Sequence, residues 1–168
     1  MKHILSIILI TLFSLSASAQ MMKIGTFSYD AALHSMPDYA IVQKNISDLR
    51  AQYDAEVKSS EKEFSEKYEL FLEQQAAMNT AIREKRQSEL QIMMERNVAF
   101  RAESRRLVKQ AEAEAMKPLK EKLDGVIKKV GEDNGYIIIL NTDANACPFI
   151  QSSLVEDVNA LIVEELSK

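Results

Sequence analysis

The stretch "SSEKEFSEKYELFLEQQAAMNTAIREKRQSELQIMMERNVAFRAESRR", Ser59 to Arg106, contains neither Gly nor Pro. The gap extends from Pro37 to Pro118, so residues 38–117 form 80 consecutive positions without a helix breaker. A straight helix of that length would run about 120 Å at 1.5 Å per residue. Apolar side chains recur along it at steps of three and four. Val42, Ile46, Leu49, Tyr53, Val57, Phe64 and Phe71 make one stripe, interrupted by Ser60 and Lys67. Leu90, Met93, Phe100, Leu107 and Ala111 make a second, interrupted by Asn97 and Ser104. Each stripe occupies about two positions in seven, the width of a coiled-coil seam rather than of a globular core helix. The polar interruptions predict a weak seam that bends and splays.

Two stripes require a reversal between them. Ala76 and Ala77 are small, Asn79 and Thr80 are good helix N-caps, and Ile82 restarts the apolar pattern. The tip is therefore expected near residues 76–80, with two arms of about 40 residues and 60 Å each. Charge supports the same reversal. Residues 54–73 carry seven acids and three lysines, and residues 83–109 carry eight bases and four acids. An antiparallel pairing sets the acidic arm against the basic one, each exposed pair contributing about 0–1 kcal/mol and the set fixing register. The competing reading is that these are solvated faces of unrelated helices.

The flanks differ in kind. "MKH" followed by the apolar run "ILSIILITLFSL" and the small residues of "ASA" reads as a secretory signal peptide over residues 1–19, cleaved after Ala19. An uncleaved anchor is the alternative, but the run is short for a span of about 20 residues. "KIGTFSY", Lys23 to Tyr29, is β-prone. Leu119, Leu123, Val126, Ile127 and Val130 form a wider apolar face, where the second arm should enter a better packed body, with Pro118 kinking the entry. Gly131 and Gly135 are expected to end that helix. "YIIILN", Tyr136 to Asn141, reads as a strand buried on both faces, "CPFI" as a short extended piece, and Ser152 or Ser153 as the cap of a last helix running through Leu154, Val158, Leu161, Ile162 and Leu166.

The fold class expected is thus α+β. A long antiparallel α-helical coiled-coil hairpin (residues 41–117) projects from a small β-rich body (residues 20–40 and 118–168). A few short strands drawn from opposite ends of a chain cannot bury themselves alone. A closed homo-oligomer follows, held through the region of Ile24, Phe27, Ile137, Ile139 and Phe149.

Composition excludes several function classes. Residues 20–168 carry 20 basic and 25 acidic side chains, the wrong sign for a general nucleic-acid binder. His34 is the only His after residue 19, and no acid partner for it is identifiable, so serine triads and His-rich metal sites lack material. No Gly-rich phosphate loop occurs, and no cofactor is expected. Cys147 is the only Cys, either a buried small apolar residue or a free or intermolecular thiol.

In order and spacing, "KIGTFSYDAAL", "MPDYAIVQKNI" and "NGYIIILNTDANACPFIQSSLVEDVNALIVEEL" resemble the opening strand, first-arm entry and closing strand–turn–strand–helix of the Skp/OmpH family of periplasmic chaperones. One departure lies early in the last helix, where Asp157, Val158 and Asn159 stand for the family's common Asp-Ile-Thr. The resemblance implies a homotrimer shaped like a three-tentacled cup, its β-barrel trimerisation body built from all three chains. It implies an ATP-independent holdase that binds unfolded outer-membrane β-barrel proteins in the periplasm and prevents their aggregation in transit. Such a holder needs adaptable apolar contacts, a role that Met suits. Tyr68, Met78 and Met94, off the seam or at the tip, are the leading candidates. Tyr53, Phe64, Phe71, Met93 and Phe100 are further ones, for which burial in the seam is the competing reading.

Well-known members are strongly basic, whereas this chain is acidic, so lipopolysaccharide binding is not carried over. Only Arg83, Lys85 and Arg86 at the tip are locally basic, set either for weak contact with an anionic membrane surface or as an ordinary solvated helix start. The alternative function is a structural periplasmic coiled-coil spacer or adaptor. A spacer buries its apolar residues in seams, and a chaperone leaves some exposed.

Overall fold

A computed structural model describes residues 22–168, and the signal-peptide reading of residues 1–19 lies outside them. The chain opens with strand β1 (Lys23–Phe27), whose alternation buries Gly25 and Phe27. Strands β2 (Tyr136–Asn141) and β3 (Glu156–Asp157) pair with it on either side, both parallel to it, so that β1 is the centre of a three-stranded sheet. A Cβ on Gly25 would lie 3.2 Å from both Ile139 Cγ1 and Val158 Cγ1. The missing side chain lets the flanking segments close on the central strand.

A short helix α1 (Tyr29–Ser35) follows at once, which the sequence reading did not separate from its surroundings. Seven residues are too few to show a period, but the N-terminal chemistry is strong. Ser28 Oγ accepts from the Ala31 amide, Asn141 Oδ1 from the Tyr29 amide and Asp143 Oδ2 from the Asp30 amide. Three donors that a helix start leaves free are thus satisfied, one by the last residue of β2 and one by the turn after it. His34 consequently stands at a helix end, its Nδ1 2.6 Å from the Asp30 carbonyl oxygen and its ring against Tyr39.

Helix α2 (Pro37–Gln74) starts with Pro37 in its first turn, where a missing N–H costs nothing. A single 3₁₀ turn (Gln75–Ala77) and Met78 reverse the chain. Asn79 then caps α3 (Thr80–Asn134), its Oδ1 accepting from the Ile82 amide at 2.9 Å. At 55 residues, α3 is about 83 Å long. It continues through Pro118 and Gly131 and ends at Gly135, whose φ of 71° is the left-handed conformation that suits glycine. Contacts between α2 and α3 run antiparallel. Gln43 reaches Met116, Arg50 reaches Glu112, Ser60 reaches Asn97, and Glu61 reaches Arg101.

The body closes around the lower part of α3. Leu123 is fully buried, together with Val158 and Ile162, among Phe27, Leu33, Met36, Leu119, Val130 and Leu166. The last helix, α4 (Asn159–Leu166), begins later than Ser152 or Ser153 would place it. Ser152–Leu154 forms only a 3₁₀ turn, and Glu156–Asp157 is extended because β1 has a free edge there: the Val158 amide donates to the Thr26 carbonyl at 2.9 Å. The third strand is therefore not "CPFI", whose residues 147–150 form no strand. Nor is β2 buried on both faces in the single chain. It is an edge strand, and Ile137 and Ile138 are exposed.

Candidate functional site

The seam between α2 and α3 is apolar with four polar insertions: Lys67 is exposed and pairs with Glu63 on its own helix, and the other three are hydrogen-bonded. Asn97 Nδ2 donates to the Ser60 carbonyl across the helices at 3.0 Å. Ser60 Oγ donates to the Val57 carbonyl at 3.0 Å, and Ser104 Oγ to the Phe100 carbonyl at 2.7 Å. A helix carbonyl can accept a second bond, so none of these is an orphaned group. The breaks that the sequence marked as weak points are hydrogen-bonded joints, and Ser104 is buried.

Charge is used differently from the sequence expectation. Among the described residues, the ion pairs between α2 and α3 are Arg50–Glu112 and Glu61–Arg101, and only the second sets an acid of the first arm against a base of the second. The other pairs in the arms join neighbours one turn apart, such as Lys44–Asp48, Lys67–Glu63 and Arg86–Glu89. Partners at i, i+3 or i, i+4 are already held close by the helix and need no second element. At the tip, Lys85 and Arg86 both lie within ion-pair reach of Glu89, so much of the local positive charge is spent on the helix itself.

The apolar candidates fall into two groups. Phe71 is buried, and Tyr53, Phe64, Met93 and Phe100 are half-buried in the seam; the Tyr53 and Phe100 rings meet at 6.5 Å. Tyr68 and Met94 are exposed, and Met78 is half-buried at the tip. The Tyr68 ring stacks on Phe64 at 5.9 Å, which links the exposed surface to the seam.

Successive helical residues are rotated by about 100°. Leu70 and Leu72 therefore leave opposite sides of Phe71, and Ile92 and Met94 opposite sides of Met93. On one flank Leu70 and Ile92 line a cleft of about 570 Å³ with Phe71, Met78 and Met93, rimmed by Lys67, Arg86, Glu89 and Arg96. On the other, Tyr68 and Leu72 stand one turn apart on α2, and Met94 and Val98 one turn apart on α3. Exposures of 44, 46, 50 and 66% leave these four side chains uncovered. Leu70, Leu72, Ile92 and Val98 are additions to the sequence-predicted set. Their signal was present as apolar residues out of phase with the seam, a pattern more readily dismissed as noise.

In the body, Phe27 is committed to its own chain's core, while Ile24 and Ile139 are half-buried. Ile137 at 60% and Phe149 at 84% exposure have no cover, and Ile138, on the opposite face of β2, and Leu154 are exposed as well. Cys147 is half-buried, with its Sγ 3.5 Å from the Asn141 carbonyl oxygen.

Ion pairs and burial shift several groups there. Burial, with a hydrogen bond to Asp124, pushes the Tyr29 hydroxyl up to about 12. Burial and Glu156 do the same for Tyr136. Lys129 and Lys168 hold the Glu165 carboxyl below its ordinary value, tying α4 to α3. Among the described residues, no group of three or more His, Cys, Asp or Glu side chains could hold a metal ion, and no helix is long and apolar enough to cross a membrane.

A family model described as outer membrane protein (OmpH-like) matches residues 23–166. The crystal structure of a Caulobacter crescentus protein described as an OmpH-like outer membrane chaperone matches with a TM-score of 0.68 and 16% identity, over 86% of this chain and 83% of that one. At that identity the likeness speaks for the fold. None of the curated proteins matches this chain.

Proposed function

This chain belongs to the OmpH-like family of outer membrane proteins, and from that premise we propose that it is an ATP-independent holdase of the periplasm. It binds unfolded outer-membrane β-barrel proteins and keeps them from aggregating in transit. In this reading α2 and α3 form a coiled-coil hairpin, and three chains associate through their bodies. The uncovered Ile137, Ile138, Phe149 and Leu154 and the free edge of β2 supply the surface for that association.

The observation that carries the holding role is the set of uncovered apolar side chains Tyr68, Leu72, Met94 and Val98 along the arm. A spacer has no use for apolar side chains outside its seam. The polar breaks at Ser60, Asn97 and Ser104 carry less weight than their sequence pattern suggests, since all three are bonded internally. A holder without an energy source must bind many sequences weakly, and scattered flexible contacts do so.

The test is light scattering of the soluble fraction after a urea-unfolded outer-membrane barrel protein is diluted into residues 20–168. The expected mass is three chains plus one client. A trimer mass with the client precipitated would leave the architecture and favour the spacer. A monomer at micromolar concentration would remove the trimer.

A further inference from the structure

We propose that the cleft between Leu70 and Ile92 is a subsite for client segments in which a large apolar side chain stands beside a carboxylate. The inference rests on the holdase reading and names the chemistry that one part of the arm selects.

The cleft has an apolar floor of Phe71 and Met93 and three cations at its rim against the single lining acid Glu89. These cations are not equivalent. Lys67 is engaged by Glu63 at 2.5 Å and Arg86 by Glu89 at 2.8 Å. Arg96 makes no such ion pair among the described residues; the Glu63 carboxyl, lowered chiefly by its bond to Lys67, feels Arg96 only as a weaker, more distant charge. An Arg fork beside an apolar floor matches a carboxylate carried next to an aromatic or aliphatic side chain. The volume, about 570 Å³, is within the range of sites that take one or a few side chains. Gln74 adds an amide to the lining, able to bond an extended backbone. The opposite flank offers Tyr68, Leu72, Met94 and Val98 and takes apolar segments without such selection. One hairpin thus has a permissive face and a charge-selective one.

The experiment uses residues 20–168 and short fluorescent peptides that differ only at a central pair: Phe-Asp, Phe-Lys or Ser-Asp. Anisotropy should show Phe-Asp bound about fivefold more tightly than either other peptide, the scale of one exposed charge pair or one partly buried side chain. Arg96→Glu should reverse the Phe-Asp over Phe-Lys preference. Ile92→Ser should weaken both Phe peptides and leave their ratio intact. Both positions are exposed, and circular dichroism checks that each variant keeps its helix. Equal binding of Phe-Asp and Phe-Lys, or a preference that survives Arg96→Glu, overturns the subsite. So does an Arg96→Glu effect seen only on phosphatidylglycerol vesicles, which would assign the cation to lipid. The light-scattering assay on the same sample separates the two readings: a held barrel client with no peptide preference removes the subsite alone, whereas a precipitated client removes the holdase reading and the subsite with it.

Discussion

The body and the arm are built from the same α3 helix, yet they spend it differently. Around Leu123, α3 is packed by α1, α4 and the sheet, and its apolar side chains vanish from solvent. Around Met93 it has only α2 beside it. A two-helix pair buries one narrow stripe per helix, and every apolar residue off that stripe stays in water. Of the arm's side chains, Ile46, Phe71, Ser104 and Val108 are buried, while Tyr68, Leu70, Leu72, Ile92, Met94 and Val98 are exposed. Exposure here follows from architecture: removing a third packing partner converts a core helix into a surface that can hold something else.

The sharpest break of this contrast is Leu123→Ala. A fully buried leucine in a surrounded core should cost about 3 kcal/mol, read as a lower urea midpoint for the body. A loss below about 1 kcal/mol would mean the body is as loosely packed as the arm. Next, Asn97→Leu should tighten the arm by about 1 kcal/mol, because the Ser60 carbonyl keeps its ladder bond and the seam gains an apolar layer. Amide exchange near Ser60 and Phe100 should slow about fivefold; faster exchange would show the cross-helix bond to be the stronger element. Glu61→Lys should loosen the arm by about 0.5 kcal/mol by opposing Arg101, an effect that fades as salt is raised. An unchanged exchange pattern at low salt would remove charge from the account of arm pairing.

The smallest effect expected is on pH. Lys129 and Lys168 depress the Glu165 carboxyl, so the folded state binds its proton less readily than the unfolded one. Its contribution is present above the ordinary Glu value, about 4.3, and is lost as pH falls through the lower folded value. Wild type should therefore exceed Glu165→Gln in urea midpoint at neutral pH, and the gap should close in acid. A gap that persists at low pH would mean that packing, not the ion pair, holds α4 to α3.

Much of this molecule is legible residue by residue. The seam residues Val57, Phe64, Phe71, Met93 and Phe100 announced themselves by spacing, and the reversal by Asn79, whose side chain does cap α3. Less legible was anything held by distant partners. Helix α1 is too short for periodicity and depends on Asn141 and Asp143 from more than 100 positions away. β3 is two residues long and exists because β1 offers it an edge. In the candidate site, Tyr68 and Met94 were readable as off-phase residues, but the cleft at Leu70 and Ile92 was not, because it needs both helices in register.

The sequence by itself determined the paired helices of the arm, their reversal and the narrow seam, since these are set by neighbours within a turn or two and by the absence of Gly and Pro from residues 38–117. Only the tertiary structure decided which polar breaks are bonded, which charges meet across the seam, where the last helix starts and which apolar residues remain uncovered. Those outcomes depend on what stands opposite a residue after folding, and a one-dimensional pattern carries spacing along the chain but not the neighbour across it.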